Sequence, residues 1–153
     1  MSKLENTKLS VSAIQNGTVL DHIPANKVFK VIDILGLQNS DKQMTVGMNL
    51  DSKLIGKKGI IKIADRYFEE DEINKIALIA PQAKINVIKD YKVVEKRPLS
   101  LPEEIRGIVR CANPVCVTNH QRIETRFSTI QQEDGVLLRC HYCEKITNPK
   151  NVI

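Results

Sequence analysis

The chain has no tryptophan and only three phenylalanines and three tyrosines in 153 residues, so it lacks the clustered rings on which single-stranded nucleic acids stack. No apolar stretch approaches the roughly 18 residues of a membrane-spanning helix. The opening residues, with Lys3, Glu5 and Lys8 among polar neighbours, hold no apolar run fit for a signal peptide. The expectation from these absences is a soluble cytoplasmic protein. Internal repeats and low-complexity tracts are missing as well, as are G-x-S-x-G, the Walker loop, H-E-x-x-H and any triad spacing. Asp21 and His22 make a conceivable acid–base pair, but no nucleophile or substrate handle accompanies them, so the chain reads as non-catalytic. What remains is an ordinary globular composition, 42% hydrophobic and 27% charged, in a length that suits one domain or two small ones.

Cysteine is scarce but patterned. The four fall as Cys111-x4-Cys116, then 23 intervening residues, then Cys140-x2-Cys143. In a reducing compartment this points to metal or redox chemistry rather than two disulfides. Each close pair supplies two thiolates from one tight turn, at Asn113-Pro114 and at His141-Tyr142, and two such turns complete a tetrahedron suited to structural Zn²⁺. Cys140-His141-Tyr142-Cys143 alone would also fit a redox dithiol, yet the upstream pair and the missing βαβ context speak for metal. His120 and His141 are nearby rivals as ligands, ranked below the thiols because four cysteines already fill the site. The large apolar residues of this end (Ile108, Val109, Ile123, Phe127, Ile130, Val136, Leu137, Leu138) are few for some 53 residues, so a metal is expected to hold the fold.

The net charge of +5 is unevenly placed: residues 1–100 hold 16 Lys+Arg against 12 Asp+Glu, and residues 101–153 hold 7 against 6. Four thiolates on one Zn²⁺ would make the cysteine end slightly acidic. A zinc-ribbon nucleic-acid binder needs basic and aromatic residues around its metal, and only Phe127 and Tyr142 stand beyond residue 100.

Upstream, Leu9–Ala13 alternates with period two and Thr18–Ile23 is β-rich. Pro24 then admits a helix over 25–35, with Val28, Phe29, Ile32 and Leu35 at helical spacing and Gly36 closing it. Strands are expected at 43–50 and 59–64. Glu69-Glu70-Asp71-Glu72 opens a second helix carrying Ile73, Ile76, Ala77 and Leu78, and strands follow at 83–88 and 91–95. The order βαββαβ with one extra strand is the ferredoxin-like split βαβ arrangement. Lys96–Pro102 reads as the connection, Pro102–Ile105 as the start of a short helix, and the boundary falls near residue 100. The expected class is α+β: a ferredoxin-like domain over 1–100, then a small, mainly β four-cysteine domain over 101–153. On composition alone the scattered Lys57, Lys58, Lys62 and Lys96 are a solvated face, and a phosphorylated ligand is the sharper alternative.

Gly17-Thr-Val-Leu-Asp-His-Ile-Pro-Ala25, Ala80-Pro-Gln-Ala83 with Asn86, Asp90-Tyr-Lys-Val-Val94, Ser100-Leu-Pro-Glu103 and Cys140-His-Tyr-Cys-Glu-Lys145, in this order and spacing, resemble the regulatory chain of aspartate carbamoyltransferase. The resemblance implies a non-catalytic subunit of pyrimidine biosynthesis whose N-terminal domain binds CTP, UTP and ATP in competition. It implies that Val11, Ser12, Ala13, Ile14 and Val19 line base and ribose, Ser12 standing where some members carry an acidic residue. It implies that Asp21 holds the ribose hydroxyls and that Lys62, Asn86, Ile88, Tyr91 and Val93 flank base and sugar. His22 and Lys96 would meet the phosphates, with Lys58 as a further phosphate contact. The zinc domain would dock on the catalytic chain through Asn113 and Glu144, while Val115 and Gln132 depart from the polar or basic contacts of the enteric pattern. Pairing of the allosteric domains, and a dodecamer of six catalytic and six regulatory chains, are implied too.

Overall fold

The computed structural model describes residues 13–133 and 135–149; the extended segment expected at 9–13 lies outside them except for Ala13, as do Val11 and Ser12. Five strands, β1 (Gly17–Pro24), β2 (Met44–Ser52), β3 (Gly56–Ala64), β4 (Lys84–Lys89) and β5 (Lys92–Pro98), form one sheet in the order β2-β3-β1-β4-β5, every neighbour antiparallel. Helices α1 (Val28–Ile34) and α2 (Glu70–Ile79) connect β1 to β2 and β3 to β4. This is the expected βαββαβ order, with the extra strand added at the edge beside β4.

Local chemistry accounts for the elements. After Pro24 the chain makes one 3-10 turn, Ala25–Lys27, before α1, and Gly36 stops the helix with a left-handed φ of 64°. Helix α2 opens with a capping box in which Glu69 accepts a backbone N–H and Glu72 Oε1 accepts the Glu69 N–H at 3.1 Å. Val28, Val31, Leu35, Ile73 and Ile76 pack on Leu20, Ile61, Ile63 and Ile85 of the sheet. Phe29, counted above on the apolar stripe, is instead 68% exposed. The helix is only two turns long, and Val31 takes the inward position.

Strand β1 gains one residue over β3 between Leu20 and Ile23, a bulge in which His22 adopts φ 57°. The extra residue returns Ile23 to the helix side, where it is fully buried. It leaves Asp21 and His22 on the rim of the opposite face.

The second unit is a four-stranded antiparallel sheet, β6 (Glu104–Arg106), β7 (Arg126–Gln132), β8 (Gly135–Cys140) and β9 (Ile146–Thr147). The short helix expected at 102–105 is therefore a strand. Ile105 faces Phe127 in the ladder and both are buried, the Thr129 N–H bonds the Glu103 carbonyl at 2.9 Å, and Glu104 meets Arg126 Nε at 2.8 Å. Cross-strand pairing outweighs the Pro-Glu-Glu start signal. The connection is also shorter than expected, because Lys96–Pro98 belong to β5, opposite Asn86, Ile85 and Lys84. Leu99 then packs on the first core and Leu101 on the second.

Candidate functional site

The four cysteines converge at one end of the second sheet, their Sγ atoms all within 4.8 Å of one another. Cys111 lies 3.6 Å from Cys143 and Cys116 lies 3.7 Å from Cys140, and all four are free thiols. Sulfurs about 2.3 Å from a central Zn²⁺ would sit about 3.8 Å apart on a tetrahedron, so the cage fits that ion. Backbone N–H groups support all four sulfurs: that of Asn113 at Cys111, Thr118 at Cys116, Cys143 and then Tyr142 at Cys140, and Lys145 at Cys143.

The expected turns are in place, with the Cys116 N–H on the Asn113 carbonyl at 3.0 Å and the Glu144 N–H on the Cys140 carbonyl at 2.9 Å. Burial pushes the Cys111 thiol up to about 12. At Cys143 burial acts in the same direction, but the Lys145 N–H, the Asn113 side chain and the neighbouring thiols prevail and bring it down to about 7. Thiols so close together and partly desolvated need a cation before all four can ionise. Neither histidine joins them: His120 Nε2 is 2.8 Å from the Pro114 carbonyl, and exposed His141 packs edge-on against Tyr142.

Thr118 and Asn119 were not singled out from sequence. Thr118 Oγ1 is 3.3 Å from Cys116 Sγ, and Asn119 Nδ2 donates to the carbonyls of Cys111 and Asn113 at 3.0 and 2.7 Å. Their short side chains within three residues of Cys116 were the available signal.

The second candidate site follows from the pleat. Residues directly opposite in a ladder share a face, and those two apart along a strand do too. Since Leu20, Ile61, Ile63 and Ile85 face the helices, Val19, Asp21, Lys62, Asn86 and Ile88 face away from them. The register sets Lys62, Val19, Asn86 and Lys96 in one row across β3, β1, β4 and β5, and places Val93 opposite Ile88 in the next.

One end of this face is apolar, with Ile88, exposed Tyr91 and Val93. The Tyr91 N–H bonds the Gln15 carbonyl at 2.9 Å, which draws half-buried Ile14 and exposed Ala13 towards that end. At the other end Asp21 Oδ1 takes Lys58 Nζ at 2.9 Å and the His22 N–H at 2.7 Å, while His22 Nδ1 stands 3.7 Å from Asp21 Oδ2. That Nδ1 is buried and has no hydrogen-bond partner. Burial lowers the pKa of Lys62, an effect the Asp21 charge partly offsets. The register thus places Val19, Asp21, Lys62, Asn86, Ile88, Val93 and Lys96 on this face, with Lys58 and His22 beside Asp21 at its rim. The face is an open platform. A cleft of about 1230 Å³ lies elsewhere, between the two units, bordered by Leu78, Ile79, Leu101, Ile108 and Val109.

Among the described residues no helix is long and apolar enough to cross a membrane. A family model described as aspartate carbamoyltransferase regulatory chain, allosteric domain, matches residues 9–100, and one described as the metal binding domain of that chain matches residues 103–153. An aspartate carbamoyltransferase regulatory chain from Phocaeicola vulgatus is 55% identical over 137 residues, 90% of this chain and 88% of the relative. Another from Parabacteroides distasonis is 48% identical over all 153 residues and 99% of its own length, and one from Pyrococcus abyssi is 47% identical over 95% of this chain and 97% of the relative. With both domain models in sequence order and relatives matched along nearly their whole length, this chain belongs to the aspartate carbamoyltransferase regulatory chain family, non-catalytic subunits with an allosteric and a metal-binding domain.

Proposed function

We propose that the helix-free face of the first sheet binds CTP, UTP and ATP in competition, and that the second unit, closed by Zn²⁺, carries their effect to aspartate carbamoyltransferase catalytic chains. The units are assigned as residues 1–100 and 101–153. One observation carries the nucleotide reading. The sheet register brings Val19, Asp21, Lys62, Asn86, Ile88, Val93 and Lys96 onto one face, grading from an apolar end fit for a base to a cationic end fit for phosphates. Asp21 would accept ribose hydroxyls. In the tautomer that carries its proton on Nδ1, the His22 ring would donate to a phosphate.

Zinc is the metal that suits four thiolates on a tetrahedron, and with no open coordination position its part is structural. Apparent binding energies of about 10–16 kcal/mol for such sites would make folding of the second unit depend on it. Glu144, exposed with φ 63° beside Cys143, and Asn113 in the opposite turn are the proposed contacts to the catalytic chain. Regulatory chains would pair through their allosteric domains, in a dodecamer of six catalytic and six regulatory chains. Each nucleotide would shift the enzyme by its different affinity for two quaternary states.

Calorimetric titration of the zinc-loaded chain with CTP and ATP tests the site. Saturable binding at one site is expected, weakened by Lys62→Ala through the lost contact beside base and sugar and about tenfold or more by Lys96→Ala through the lost charge-assisted phosphate contact. Absence of binding at millimolar nucleotide would refute it.

A further inference from the structure

We infer that Asn119 positions the first cysteine turn of the metal cage, and that the ion is therefore lost from the other turn, with Cys143 the first ligand to let go; the inference rests on the Zn²⁺ reading above. The two turns are closed differently. Cys140-x2-Cys143 closes on its own backbone, the Glu144 N–H bonding the Cys140 carbonyl at 2.9 Å and the Cys140 N–H the Lys145 carbonyl at 3.0 Å. Cys111-x4-Cys116 is longer, and a longer loop gives up more conformational freedom when its two ligands are fixed.

Asn119 supplies the missing closure. Its Nδ2 carries two hydrogens and donates to the Cys111 carbonyl at 3.0 Å and to the Asn113 carbonyl at 2.7 Å, reaching back eight and six positions. Its own N–H bonds the Cys116 carbonyl at 2.9 Å. One residue thus ties the backbone of both cysteines and the middle of the turn between them. Its neighbours add to the clamp: Thr118 Oγ1 stands 3.3 Å from Cys116 Sγ, and His120 Nε2 meets the Pro114 carbonyl at 2.8 Å. Pinning Asn113 also aims its side chain, which bonds Cys143 across the cage while its Oδ1 accepts the Val115 N–H at 3.2 Å.

Exposure points the same way. Cys111, Cys116 and Cys140 are buried in the second core, and Cys140 lies within β8 opposite Phe127. Cys143 is only half-buried, after exposed His141 and Tyr142 and before Glu144 with φ 63°. The Lys145 N–H and the Asn113 side chain support its sulfur, and the second of these depends on the turn that Asn119 closes. A reagent from solvent therefore meets Cys143 first, while the clamped pair keeps its place.

The test mixes the intact zinc-loaded chain with a coloured zinc chelator and excess N-ethylmaleimide. Zinc release is followed by absorbance, and each cysteine by mass spectrometry of quenched samples. Wild type is expected to modify Cys143 well before the other three. Asn119→Ala, and Asn119→Asp, which keeps the shape but not the donor, should release zinc about fivefold to thirtyfold faster, as for two lost hydrogen bonds. In both, Cys111 should be modified as early as Cys143. Val136→Ala truncates the second core about 14 Å along β8 from Cys140; it should speed zinc release yet keep Cys143 in the lead, since general loosening does not change the order. Modification of another cysteine first, or of all four in step, in wild type would overturn the inference, and this order decides by itself if the variants do not fold. An unchanged rate and order in Asn119→Asp would overturn it too. A chain that takes up no zinc would overturn the Zn²⁺ reading, and this inference with it.

Discussion

Burying a lysine's ammonium on a sheet face costs stability, and Lys62 is partly desolvated in this way. Burial lowers its pKa from 10.5 and Asp21 only partly restores it, so the folded state holds this proton less tightly than the unfolded chain does. Between the lowered value and 10.5 the unfolded chain binds more protons, and stability therefore rises with pH across that window. Below it the penalty is fully present. Lys62→Met should accordingly be more stable than wild type in urea titrations at pH 7, and the gap should narrow as pH is raised towards 10. A gap that stays constant or widens would show that Lys62 is not held against its charge.

Strand β3 is where helix, sheet and edge strand crowd together, and Gly59 makes this possible. A Cβ there would lie 2.1 Å from Val28 Cγ2 and 3.2 Å from the Gly47 carbonyl oxygen. Val28 is a fully buried, stiff β-branched residue at the start of α1, so it has nowhere to go. Gly59→Ala should cost about 1–3 kcal/mol, as overpacking does, and Val28→Ala should cost about 1–3 kcal/mol as a truncation. The double variant should be more stable than the sum predicts by about 1 kcal/mol or more, because the alanine methyl refills the space left by valine. Simple additivity in a denaturation cycle would contradict this packing.

The sequence signals for β1, α1, β3, α2 and β4 were strong because period, capping and punctuation agree at each, as at Glu69–Glu72 and Gly36. The strand at Glu104–Arg106 was not legible, since its stability lies in Phe127 and Arg126 some twenty residues on. At the sites, the cysteine cage could be read because four identical ligands at close spacing carry their own geometry. The residues proposed for a ligand on the helix-free face came only from family resemblance. Lys62, Asn86 and Lys96 are adjacent solely through register, and the bulge that turns Asp21 towards Lys58 leaves no mark in local composition.

The two units are joined by more than the connection at Leu99–Leu101. Leu78, on the last turn of α2, is 4% exposed and belongs to the second core with Ile105, Val109, Phe127, Val136 and Leu138. A helix that packs Ile73 and Ile76 on the first sheet thus lodges its end in the metal-held unit. Burying a leucine is worth about 1.5–3 kcal/mol, and this side chain keeps its burial only while the second core stands. Metal removal should therefore be felt beyond the cysteines. Stripping the ion with a strong chelator should unfold the second unit and also lower the stability of the five-stranded sheet by about 1–3 kcal/mol, read from amide hydrogen exchange in β1, β3 and β4. In Leu78→Ala the sheet should already carry that loss and show no further change on chelation. Coupling of this kind is reciprocal, so a ligand that tightens the sheet face should also slow loss of the metal in wild type, and the effect should fade in Leu78→Ala. If exchange in β1, β3 and β4 of the wild-type chain is the same with and without metal, Leu78 is a passive filler, and any coupling between the sheet and the metal unit must run through the connection alone.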